Sequence, residues 1–182
     1  MTNKRRIIIT GASGVGKTTL VEALAPLLSL PVIPELGRAI CENLGYKTIG
    51  EIPDQEGFKN DVLEAQIAEE NRLENFVSDR STIDCWVLWQ RWNLCSAMTY
   101  DTEAYYRRAR TQASVYTHVV YVPPMFPPAE DGFRWTDSDY QLQIDRIVRT
   151  TLYDWQLWDR TYTVEKLMVE DRMEELRRWL VE

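Results

Sequence analysis

Histidine is nearly absent from this 182-residue sequence, with His118 the only one. A histidine-built metal cluster is therefore excluded, and so is a nucleophilic triad that needs a second histidine. The three cysteines, Cys41, Cys85 and Cys95, form no CxxC pair and are odd in number, which points to small apolar side chains in a reducing compartment. No apolar run approaches membrane-spanning length. Ile7-Ile8-Ile9 is flanked by Lys4-Arg5-Arg6 and the polar Thr10, too short for a signal peptide or an anchor. Positive charge is also in deficit, with 21 Lys and Arg against 28 Asp and Glu and a net charge of −7. A surface that neutralises a nucleic-acid backbone needs clustered cations, so no nucleic-acid polymer and no membrane is expected as a partner. The expectation is a cytoplasmic protein.

What remains is a soluble globular composition, 45% hydrophobic and 27% charged, in a length that suits one domain over residues 1–182. Apolar periodicity alternates between short runs and helical spacing. Strands are expected at Ile7–Thr10, at Pro31–Pro34, at Phe76–Ser78 leading into Asp79-Arg80 at its carboxyl edge, at His118–Val122 and at Tyr162–Val164. Helices are expected at Lys17–Leu28, Leu36–Leu44, about Phe58–Phe76, Ser81–Leu94, Asp101–Gln112, Ser138–Trp158 and Glu170–Val181. The four prolines between Pro123 and Trp135 make that stretch a loop. Strands alternating with helices predict a three-layer α/β/α sandwich around a mostly parallel five-stranded sheet. Such sheets hold ligands at the carboxyl ends of their strands, where Gly11, Glu35, Asp79 and Pro123 all fall.

Gly11-Ala12-Ser13-Gly14-Val15-Gly16-Lys17-Thr18, continuing into Thr19, is a full Walker A pattern between a strand and a helix. Glycines let the backbone curl until several N–H groups face one phosphate tail, and the following helix adds the positive end of its dipole. Lys17 is placed to reach the β- and γ-phosphates and Thr18 to ligate Mg²⁺, so ATP and Mg²⁺ are the expected cofactors of a P-loop NTPase fold. The fate of the γ-phosphate is partly legible. A guanine-specific Asn-Lys-x-Asp motif is missing, and Asp79-Arg80-Ser81 lacks the adjacent Glu with which motor ATPases position water. Asp79, as a buried strand-end carboxylate, needs a cation, which makes it a Mg²⁺ ligand directly or through water. Arg80 suits a hydroxyl-rich or anionic acceptor better than it suits water activation.

The P-loop together with Asp79-Arg80-Ser81 resembles the nucleoside and nucleotide kinase group of P-loop proteins. Adding Pro34-Glu35 and Asp131-Gly132-Phe133-Arg134, the layout is most similar to the NadR-like family, grouped with ribosylnicotinamide kinase domains. The resemblance implies transfer of a phosphoryl group from ATP to a small-molecule acceptor, a nucleoside or nucleotide-like metabolite. It implies Glu35 beside the acceptor hydroxyl, with the base role open between Glu35 and Asp79. It also implies acceptor contacts from Arg38, Gln66 and Arg80, and a lid over residues 123–137 from which Arg134 closes on the γ-phosphate. A regulatory or ligand-binding module and a slow ATPase switch are the rival readings. Trp86, Trp89 and Trp92, spaced by three, fit core packing, a base-stacking wall or the seam of a homodimer. Arg107, Arg108 and Arg110 are read as a solvated helix face, and His118 as a packed, hydrogen-bonded strand residue.

Overall fold

The computed structural model describes residues 4–128 and 137–181. Five strands form one parallel sheet in the order β2-β3-β1-β4-β5. They are β1 (Arg6–Thr10), β2 (Val32–Ile33), β3 (Phe76–Asp79), β4 (His118–Tyr121) and β5 (Thr161–Thr163). Seven helices connect and flank them: α1 (Lys17–Leu28), α2 (Leu36–Asn43), α3 (Gln55–Arg72), α4 (Thr82–Asn93), α5 (Thr99–Ala113), α6 (Ser138–Asp154) and α7 (Val169–Val181). Ile7, Ile8 and Ile9 are all 0% exposed. Because successive strand residues point to opposite faces, both faces of β1 must be covered, and the expected three-layer architecture follows.

Element ends are set by local chemistry. Helix α1 begins at Gly16, whose φ of 89° turns the chain out of the P-loop, and it stops at Ser29, which adopts φ 53° and returns its N–H to Ala25 and Pro26. Helix α3 starts at Gln55, three residues before the Phe58 start expected from apolar spacing. The Asp54 carboxylate accepts from the Gly57 N–H at 2.8 Å and caps it. It ends at Arg72, short of Phe76, because Leu73 is already extended. A 3-10 turn at Ile49–Glu51 precedes α3. Helix α6 ends at Asp154 and not at Trp158. Gln156 takes φ 57°, and the Leu157 N–H reaches back to the Leu152 carbonyl at 2.9 Å, which drops Leu157 into the core.

The tryptophan series divides. Trp89 stacks on Tyr105 at 4.1 Å and Trp86 meets Tyr106 edge-on at 4.9 Å, both in the core between α4 and α5. Trp92 is exposed and bonds to the Tyr140 hydroxyl at 3.3 Å. His118 is half-buried, edge-on to Trp179, with Thr117 Oγ1 2.8 Å from its Nδ1, and burial lowers its pKa. Arg108 pairs with Glu64 and Asn60 on α3 and Arg110 with the Tyr106 hydroxyl, so these two arginines serve the helix surface.

Among the described residues no helix is long and apolar enough to cross a membrane. Backbone approaches backbone most closely at Gly11, where an added Cβ would lie 2.3 Å from the Val122 carbonyl oxygen at a φ of 147°. The Gly11→Ala variant is therefore expected to lose roughly 1–3 kcal/mol of stability from overpacking, read as a lower urea midpoint with unchanged slope.

Candidate active site at the carboxyl edge of the sheet

The P-loop joins β1 to α1 at the centre of the sheet, with Gly14 at φ 74° and Gly16 at φ 89°. These left-handed positions let consecutive amides turn inward toward an anion. Carbonyls then point outward, and two side chains from the far end of the chain meet them. Gln141 of α6 donates to the Ser13 carbonyl at 2.9 Å, and Arg172 of α7 lies 3.5 Å from the Val15 carbonyl. Arg172 also donates to the Lys166 carbonyl at 2.6 Å, is 3% exposed, and has its pKa lowered by burial. Pro128 closes over Gly14, where a Cβ would come within 2.9 Å of the proline ring.

Lys17 is buried and crosses the loop, donating from Nζ to the Gly11 carbonyl at 2.9 Å and the Ala12 carbonyl at 2.7 Å. Burial pushes its ammonium down to about 7, Arg80 adds to that, and Asp84, Asp79 and Glu35 pull the other way. Thr18 donates from its hydroxyl to Asp79 Oδ2 at 2.6 Å. The second Asp79 oxygen, Oδ1, is buried without a hydrogen-bond partner. An orphaned carboxylate oxygen beside a threonine hydroxyl fits Mg²⁺, which takes one or two protein oxygens and completes its shell with phosphates and water. Among the described residues no group of three His, Cys, Asp or Glu could hold a metal. A cation here would depend on the nucleotide for most of its ligands.

Strand β3 delivers the next residues. Arg80 adopts φ 79°, unusual for a side-chain-bearing residue, and this aims its guanidinium across the edge of β2. Nε donates to Glu35 Oε1 at 2.7 Å, and Nη1 lies 3.6 Å from Asp84 Oδ1. Burial alone would lower the Arg80 pKa, but Glu35, Asp84 and Asp79 outweigh it and raise it. Asp84 has its pKa raised by burial, opposed by Arg80 and Lys17, and accepts from Ser81 Oγ at 3.1 Å. Arg38 stands at the rim of this cluster, 4.0 Å from Glu35 Oε2.

Lys17, Thr18, Glu35, Arg38, Asp79 and Arg80 are thus gathered at one edge, as the strand order requires. Gln66 is elsewhere: it is 2% exposed, and its amide nitrogen bonds to Glu70 at 2.9 Å and Ser78 at 3.0 Å inside the fold. The amide expected to face an acceptor is occupied within the core. Arg134 lies outside the described residues. Asp84 went unread in the sequence: it stands four residues after Arg80 across the first turn of a helix, and that spacing alone does not mark it. Gln141 and Arg172 carry no sequence signal, because they approach the loop only through tertiary packing.

A model of the AAA domain family matches residues 6–172. No curated protein matches the sequence. Solved structures of similar fold include the NadR protein in complex with NR, 18% identical with a TM-score of 0.74 over 90% of this chain and 46% of that one. The chain thus spans about half the length of that NadR chain. Deoxyadenosine kinase from M. mycoides with bound dATP is 16% identical with a TM-score of 0.65, covering 99% of this chain and 100% of that one. Shikimate kinase from Acinetobacter baumannii in complex with shikimate is 16% identical with a TM-score of 0.53, over 99% and 94%. At these identities the likeness speaks to the fold.

A buried ammonium with a pKa near 7 gives a linkage test. A polyphosphate favours the charged form, so binding above about pH 7 must draw in a proton, and affinity must fall as pH rises through that range. Calorimetry of ATP binding at about pH 8 in buffers of differing ionisation enthalpy is expected to show uptake of about one proton, absent in Lys17→Met.

Proposed function

The chain belongs to the AAA domain family, and from that footing we propose that it transfers the γ-phosphoryl group of ATP to a hydroxyl of a small nucleoside or nucleotide-like acceptor. The observation that carries this reading is the Glu35–Arg80 pair at 2.7 Å, set at the strand edge next to the P-loop helix. An arginine held there by a carboxylate offers an acceptor both a hydrogen-bond donor and a proton acceptor. Water activation for simple hydrolysis would call for a second carboxylate directly after Asp79, and that position is Arg80. The NadR structure in complex with NR and the deoxyadenosine kinase structure with bound dATP support an acceptor of nucleoside type.

The geometry suggests how the roles divide. Asp79 is committed to Thr18 and leaves one oxygen for Mg²⁺, which supplies charge neutralisation at the β- and γ-phosphates when bound. Glu35 is then the better base. It takes the acceptor hydroxyl proton while the acceptor oxygen bonds to the γ-phosphorus, and the bond to the bridging oxygen breaks to leave ADP. Lys17 and Arg80 balance the charge that builds on the phosphoryl oxygens. Arg38, beside Glu35, would orient the acceptor, and Arg134 would act on the γ-phosphate.

ADP release measured across nucleosides, nucleoside monophosphates and ribosylnicotinamide tests the reading. Stimulation by one acceptor class is the expected result. Binding without stimulated turnover would mark a regulatory module, and acceptor-independent turnover an ATPase switch; either result rejects the kinase reading. Lys17→Ala is expected to abolish transfer. Glu35→Gln is expected to keep ATP affinity while lowering kcat by about 100-fold or more, the usual weight of a general base.

A further inference from the structure

Asp79 and Arg80 sit between two residues, Ser78 and Thr82, that are each 0% exposed and tied to one buried carboxylate. Glu70 on α3, also 0% exposed, accepts from Gln66 Nε2 at 2.9 Å, from Gln112 Nε2 at 2.9 Å and from the Tyr116 hydroxyl at 2.8 Å. The same Gln66 amide reaches Ser78 Oγ at 3.0 Å, one residue before Asp79. The same Tyr116 hydroxyl accepts from the Thr82 backbone N–H at 3.0 Å, two residues after Arg80. Thr82 also donates from Oγ1 to the Ala109 carbonyl at 3.0 Å. Two chains of hydrogen bonds therefore run from Glu70 to the two sides of the strand edge.

We propose that Glu70 is a positioning residue for the Asp79–Arg80 pair, acting through Gln66 and Ser78 on one side and through Tyr116 and Thr82 on the other. What the pair does for chemistry rests on the kinase reading above; that the network holds its conformation does not. The physical need is at Arg80. A non-glycine residue at φ 79° is strained and persists only where its surroundings over-determine it. The Arg80 N–H is held by the Ile9 carbonyl at 3.1 Å, which fixes its place on the sheet. The turn into α4 needs a second anchor, and the first amide of a helix has no partner within the helix. Tyr116 supplies that partner, and its hydroxyl can accept from Thr82 while its own proton goes to Glu70. A carboxylate at this depth is a poor choice for packing alone, since apolar residues of similar volume serve as well or better. Burial pushes the Glu70 carboxyl up to about 7, while Gln66, Gln112 and Tyr116 pull it back down.

The test uses Tyr116→Phe, which keeps the ring and removes the hydroxyl, and Gln66→Met, which cuts the other arm should the first variant fold poorly. Positioning predicts that kcat with the stimulating acceptor falls about 10-fold, while affinity for ATP without Mg²⁺ stays within about 2-fold, because the P-loop is untouched. It predicts further that Tyr116→Phe has no added effect in an Arg80→Ala background, since the double-mutant cycle then removes the group being positioned. Amide hydrogen exchange supplies a readout that needs no turnover. Protection at Arg80 is expected to fall in either variant while Ile7–Ile9 stay protected. An equal kcat loss in both backgrounds, or unchanged protection at Arg80, would overturn the proposal. If the wild type shows no acceptor-stimulated turnover, the kinase reading fails, and the exchange result alone still decides whether the network holds Arg80.

Discussion

Lys17, Glu35, Asp79, Arg80 and Asp84 share a space at the carboxyl edge of the sheet from which most water is excluded, and keeping these charges there is the constraint on which the surrounding structure depends. Each is costly to bury alone. Together they are tolerable because they interlock: Arg80 lies between Glu35 and Asp84, Asp79 holds Thr18, and Lys17 is bound to its own loop's carbonyls. The balance is incomplete, as the orphaned Asp79 oxygen and the depressed Lys17 ammonium show. A polyanion with a divalent cation would complete both at once. The site is built with strain and unmet charge.

Holding that arrangement requires contributions from distant parts of the chain. The P-loop can turn its amides inward only because its carbonyls find Gln141 and Arg172 on the outside, and because Gly11 and Gly14 leave room for Val122 and Pro128. Two helices from the second half of the chain thereby carry information about the first sixteen residues. The strand edge with Asp79 and Arg80 is supported from the opposite side, where α3, α5 and the approach to β4 converge on Glu70. The P-loop and the Asp79–Arg80 edge are steadied by separate groups of residues, and a change in one group need not disturb the other.

The buried polar residues divide along the same line. At the sheet edge Lys17, Arg80 and Asp84 have perturbed protonation. Gln66, Glu70, Gln112 and Tyr116 face one another and are satisfied internally. Burial by itself therefore does not identify a ligand-binding residue. What separates the two groups is whether hydrogen-bonding capacity is left over, as at Asp79, or used up, as at the Gln66 amide nitrogen.

The sequence alone determined the features that depend on neighbours along the chain. The isoleucine run required a strand covered on both faces. The glycine spacing before Lys17 required a phosphate cradle, and the alternation of strand and helix patterns required a parallel sheet with Glu35, Asp79 and Gly11 on one edge. Helix α1 was legible to the residue because a left-handed glycine and a clear apolar face bound it. Tertiary structure alone decided the rest. Gln66 reads as a polar helix residue, and only packing against Ser78 and Glu70 turns it inward. Trp86 and Trp89 enter the core while Trp92 stays exposed, although the three are equally spaced, because α5 covers only part of α4. Arg172 lies some 160 residues from the loop it supports, and Gln156 ends a helix with a conformation that its side chain does not favour. These outcomes depend on which surfaces meet in space, and hydrogen bonds and burial between distant segments leave no periodicity in the chain from which to read them.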